Sequence, residues 1–144
     1  MSTVASRKKP PAAHITRVDK ARLATVLRGV DVEHENRAEV EDLRRELNRG
    51  TTVEPEQIAP DVVTMNSTVR VTDLDAMTSY LYTIVFPSDT DFEKGRISCL
   101  SPIGTALLGF RAGDVVECEA PRGTRRLRID ELLYQPEAAG DFHL

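Results

Sequence analysis

The apolar residues of this chain change period near residue 60, and that change fixes the class of fold. Before it they recur at helical spacing. Leu23, Val26, Leu27 and Val30 stand at i, i+3, i+4 and i+7, and Val40, Leu43 and Leu47 repeat the stripe. After it they alternate: Val69 and Val71 with Arg70 and Thr72, Val116 and Cys118 with Glu117 and Glu119, and Leu127 and Ile129 with Arg126, Arg128 and Asp130. Alternation puts successive side chains on opposite faces of a strand. A helical block followed by a block of strands makes an α+β chain rather than a parallel α/β one.

The helical block predicts two helices, over about 19–29 and 36–48, with Thr16 or Asp19 as the first cap and Gly29 and Gly50 as stops. Together they make a short antiparallel coiled-coil hairpin over residues 15–50, an arm of roughly 16–20 Å. Helices this short are marginal alone and must pack on each other and on the rest of the chain. Residues 1–14, MSTVASRKKPPAAH, read as a disordered basic leader, and residues 51–60, TTVEPEQIAP, as a linker. Residues 61–144 then form one domain of four or five antiparallel strands. Tyr80, Tyr82, Ile84 and Phe86 alternate with Leu81, Thr83 and Val85, a strand covered on both faces, and Ile97 to Leu100 form a short one. Between strands lies SPIGTALLGFRAGD, residues 101–114. Ser101 caps a short helix, Pro102 takes its first position, where a missing N–H costs nothing, and Gly109 ends it.

Composition narrows the function. The net charge of -4 is not the footprint of an independent nucleic-acid binder. The chain has no Trp and only 5% aromatic residues, which argues against a large aromatic-lined pocket. Cys99 and Cys118 form no CxxC and read as reduced core thiols. No apolar run suggests a signal peptide or a membrane span, so the expected location is the cytoplasm.

ISCLSPIGTALLGFRAGDVV, followed by PRGTRRLRIDELLY, resembles the C-terminal domain of the Gre transcript-cleavage factors over about residues 62–135. DVVTMNS at 61–67 and YQPEAAGDF at 134–142 extend the likeness: the chain resembles the family called regulator of nucleoside diphosphate kinase. The resemblance implies an FKBP-like C-terminal domain, a bent antiparallel sheet with one short helix, that follows the hairpin. It implies RNA polymerase as partner. Gre factors dock this domain at the rim of the polymerase secondary channel and push a long arm inside, where acidic tip residues help hold a catalytic magnesium. Members of the resembled family carry a shorter arm.

Three sets of residues follow as candidates. The loop Cys99-Leu100-Ser101-Pro102 is the docking candidate. Many Gre factors have Asp or Asn where this chain has Leu100, and helix capping alone also explains Ser101 and Pro102. Asp31, Glu33 and Glu35, with His34 among them, lie at the hairpin tip. Carboxylates suit Mg²⁺, but the arm is short for chemistry inside the channel, so a solvated acidic turn is the preferred reading, a regulatory contact with the channel mouth the second and metal chelation the last, and His34 alone makes no zinc site. Arg126 and Arg128, with Arg122 and Arg125 near them, are a basic candidate for acidic surfaces, or simply a charged solvent face neutralised by neighbours such as Asp130. The expectation is a monomeric, non-enzymatic transcription regulator without cofactor or metal. It binds polymerase near the secondary channel and competes with Gre-type factors. The alternatives are a cleavage-stimulating factor that uses the acidic tip, and a prolyl isomerase, for which Tyr80, Tyr82 and Phe86 look too much like core residues.

Overall fold

The computed structural model describes residues 14–29, 37–120, 123–142 and 144. The leader lies outside the described residues except for His14. The tip residues Asp31, Glu33, His34 and Glu35 lie outside them as well, as does Arg122. His14–Thr16 forms strand β1, which pairs in parallel with β2, Thr51–Val53. The stretch expected as a linker thus opens with a strand, and the leader's last residue belongs to its partner. Three residues are too few for alternation to register in sequence.

From β1 the chain enters helix α1, Arg17–Arg28, where Thr16 Oγ1 accepts a hydrogen bond from the Asp19 N–H at 3.0 Å. Helix α2, Arg37–Arg49, follows. Leu23 and Leu27 of α1 and Val40, Leu43 and Leu47 of α2 are buried, the two stripes read from the sequence. The helices pack on each other, and α2 also packs on a short helix of the sheet domain.

The sheet comprises β3 (Thr68–Asp73), β4 (Thr78–Val85), β5 (Arg96–Ser98), β6 (Val115–Ala120) and β7 (Gly123–Tyr134), in the order β5-β4-β3-β7-β6. It is antiparallel except at one edge, where β5 runs parallel to β4. This corrects the all-antiparallel expectation. The chain between β4 and β5 makes two 3-10 turns, Pro87–Asp89 and Phe92–Lys94, instead of a hairpin. Gly95, at φ 72°, completes the crossover, and a Cβ there would stand 2.8 Å from the Leu81 carbonyl oxygen. The β3–β7 register slips at two places, and such bulges bend a sheet. A second correction concerns β4. Only its end, Ile84 and Val85, is buried, whereas Tyr80 and Leu81 are exposed, because no described element covers the first half of the strand.

Helix α3, Pro102–Leu107, lies against the sheet, with Ser101 Oγ accepting from the Gly104 N–H at 3.0 Å. Helix α4, Pro136–Ala139, follows β7. One apolar cluster joins the whole: Leu23, Leu43 and Leu47 from the helices, Val69, Ile84 and Ile129 from the sheet, and Leu107 and Phe110 from α3 and its exit. Each fully buried side chain of this size is worth about 1.5–3 kcal/mol.

A polar joint fastens α1 to the sheet domain. The buried Asp19 carboxylate accepts from the Met65 N–H at 3.0 Å and from Arg22 at 2.6 Å. Burial pushes the Asp19 carboxyl up, against the pull of Arg22 and the Met65 amide. Arg22 also donates to the Leu144 carbonyl at 2.7 Å and lies over the Phe86 ring. Glu137, which accepts from Thr64 at 2.7 Å, is likewise pushed up by burial.

Candidate docking groove

Strand alternation sends Tyr80, Tyr82, Arg125 and Leu127 to the face of the sheet that carries α3. The curl of the sheet leaves a groove of about 340 Å³ between them. Ser101, Pro102 and Ile103 line one side, and Tyr80 and Tyr82 the other. The two tyrosine rings stack, with centroids 5.7 Å apart and planes 16° from parallel. Phe92, carried by the second 3-10 turn, also lines the groove and is 79% exposed. Burial, with help from Tyr80, pushes the Tyr82 hydroxyl above its ordinary pKa, so it stays a neutral hydrogen-bonding group.

One ion pair borders the groove. Arg125 donates to Asp73 at 2.7 Å, and the Asp73 carboxylate also accepts from the N–H groups of Asp75 and Ala76 at 2.9 and 3.1 Å. Burial pushes the Asp73 carboxyl up, but the bonds from Ala76, Arg125 and Asp75 outweigh it and hold the group below its ordinary range. The arrangement offers an open aromatic surface with fixed polar edges, which suits recognition of a partner. Among the described residues, no three His, Cys, Asp or Glu side chains converge as a metal site would require. Burial pushes the Cys99 thiol up to about 12, leaving it an inert core group.

The structure separates the residues that the sequence grouped. Ser101 and Pro102 lie on the groove wall. Leu100 does not join them. It is 6% exposed and belongs to the core, because its N–H bonds Ser98 Oγ at 2.9 Å in a turn that folds the side chain inward. The apolar docking contact expected of Leu100 would need a side chain that is buried here. Arg126 and Arg128 point to the opposite face of β7 from Arg125 and Leu127. There Arg126 pairs with Asp75 at 3.2 Å and Arg128 with Asp130 at 2.7 Å. On the same face Arg70 pairs with Glu131. Each of these three arginines has a carboxylate partner within the chain.

Sequence reasoning missed Tyr80 and Phe92. Alternation along β4 predicts Tyr80 as core, whereas it is 42% exposed. The available signal was Phe92 itself, a lone aromatic in the polar stretch SDTDFEKG.

The groove lies within a segment that known families share. The family model described as "Transcription elongation factor, GreA/GreB, C-term" matches residues 57–134. A protein of Escherichia coli (strain K12) named "Regulator of nucleoside diphosphate kinase" is 42% identical over 103 residues, which cover 71% of this chain and 76% of that protein. "Transcription elongation factor GreA" of Pelobacter propionicus is 33% identical over 96 residues, 67% of this chain and 61% of that protein. Among solved structures, "Prokaryotic transcription elongation factor GreA/GreB from Nitrosomonas europaea" superposes with a TM-score of 0.70 at 40% identity, covering 86% of this chain and 99% of that one. The chain belongs to the regulator of nucleoside diphosphate kinase family, within the wider GreA/GreB group.

Proposed function

We propose that the protein is a non-enzymatic transcription regulator that binds RNA polymerase near its secondary channel through the groove, competing there with Gre-type factors. The carrying observation is the aromatic surface of Tyr80 and Phe92 beside Ser101 and Pro102, inside the segment that matches the GreA/GreB model. The transcription-factor names of the relatives support the choice of partner. Such a protein works in the cytoplasm, as a single chain, and no described helix is long and apolar enough to cross a membrane. The FKBP-like reading of the sheet domain fits a helix laid over a curled sheet.

The mechanism is occupancy. A ligand of a shared site excludes others by mass action. Helices of 12 and 13 residues give an arm of roughly 18–20 Å. Such an arm stands at the mouth of a channel without delivering carboxylates to chemistry deep inside. Asp31, Glu33 and Glu35, which lie in the sequence between the two helices and outside the described residues, are read as a solvated acidic turn, with a contact at the channel mouth as the alternative. The test is displacement of fluorescently labelled GreA from core polymerase. Titration with this protein lowers the bound fraction along a competition curve. Full retention of GreA, at concentrations where the protein itself saturates polymerase, contradicts the proposal.

A further inference from the structure

We infer that the cleft between α1 and α2 is a binding site for a diphosphate group. Lys20 and Arg28 of α1 and Arg44 of α2 line an opening of about 220 Å³, over Leu27 and Leu47, with Asn48 adding an amide. No described acidic side chain lines it. Among the described residues none of the three cations has a carboxylate partner, and the polar contact of Arg28 is to Thr25 Oγ1 at 3.1 Å. This is not the habit of the chain. Arg17, Arg70, Arg111, Arg125, Arg126 and Arg128 are each paired with a carboxylate, and the net charge is -4.

Three cations without a carboxylate partner among the described residues, around one small opening, repel one another and focus a positive potential into it. A single carboxylate returns one negative charge. A phosphate carries about 1.5 to 2, so two joined phosphates supply roughly the three that the cleft lacks, in a volume it can hold. Guanidinium forks donate paired N–H bonds to phosphate oxygens, and the Lys20 ammonium adds a point charge. A nucleoside attached to the diphosphate would lie outside, on the open side. The cleft shares no lining residue with the docking groove, so the inference stands apart from the polymerase reading.

The test is calorimetric titration of the full chain at low salt with pyrophosphate, ADP and sulfate in parallel. Saturable binding of pyrophosphate is expected, weaker at high salt. Lys20→Gln, Arg28→Gln and Arg44→Gln each weaken it by roughly tenfold, as loss of a charged hydrogen bond does. Arg44→Lys retains part of the affinity, and Arg126→Gln, on the sheet, leaves it unchanged. All are partly or fully exposed positions, and circular dichroism verifies folding. ADP binding as tightly as pyrophosphate identifies a nucleotide tail as the source, and binding of pyrophosphate alone identifies the free anion. The inference is overturned by the absence of saturable binding to either, by sulfate binding equally tightly, or by an unchanged affinity in Arg44→Gln.

Discussion

Gly104→Ala is the sharpest test of how the groove is built. In an isolated helix, alanine is favoured over glycine by about 1 kcal/mol. Here the added Cβ would stand 2.2 Å from the Ser98 carbonyl oxygen, with Cys99 Cα and Ser101 Oγ both at 3.1 Å. The nearest obstacle is backbone, about 1.2 Å inside ordinary contact, and it cannot rotate away. Overpacking of this kind costs about 1–3 kcal/mol, and a backbone obstacle places the cost near the top of that range. Subtracting the propensity gain leaves a net loss of about 2 kcal/mol. For a chain of this size that lowers the melting temperature by about 4–8 °C. Gly29→Ala is the matched control. Its nearest neighbour is the Val26 carbonyl at 3.7 Å and its backbone is right-handed, so stability stays level or rises. Thermal melts followed by circular dichroism read both. A Gly104→Ala protein melting at or above wild type refutes the claim that α3 is seated by direct contact with the end of β5.

Other substitutions separate folding from docking. Leu100→Ala is expected to lower stability by about 2–5 kcal/mol in chemical denaturation, as a core truncation does, and an unaffected midpoint would return Leu100 to the surface. Phe92→Ala should leave stability within about 0.5 kcal/mol while weakening displacement of GreA from polymerase, since the ring is exposed. Asp73 has a carboxyl held below its ordinary 3.8 in the fold, so its stabilising effect is present above that pH and is lost as the pH falls through the lower folded value. The stability gap between wild type and Asp73→Asn should therefore close in acid. Asp19 is the opposite case. Its folded value is raised, so its ionisation costs stability as the pH climbs from 3.8 through the folded value, and Asp19→Asn should flatten that decline in a pH series of urea melts.

What could be read from the sequence follows the length of each signal. The stripes of α1 and α2 and the alternation of β3, β6 and β7 extend over several residues, and the structure buries the side chains they nominate, except that Val26 is half-buried and Val30 lies outside the described residues. The cap at Ser101 and the proline after it were legible because helix starts have a local chemistry. The β1–β2 pair is three residues on each side and depends on a partner some 37 positions away, so no local pattern announces it. The parallel seat of β5 was hidden for the same reason, since the direction of an edge strand is set by the path of residues 86–95. Leu100 and Tyr80 failed in opposite senses. Each sits where alternation gives a clear inside and outside only once the covering layer is known, and only the last residues of β4 are buried. The two faces of β7 divide the arginines: Arg125 reaches the groove, while Arg126 and Arg128 meet carboxylates on the far side.

The central claim is that the α3 face of the sheet, and not its reverse, meets polymerase. A photoreactive amino acid placed at Phe92 on the groove, or at Leu81 on the reverse face, tests it directly by irradiation with core polymerase. The account predicts a crosslink to polymerase from position 92, lost on adding excess GreA, and none from position 81. Crosslinks from 81 with none from 92 would contradict it.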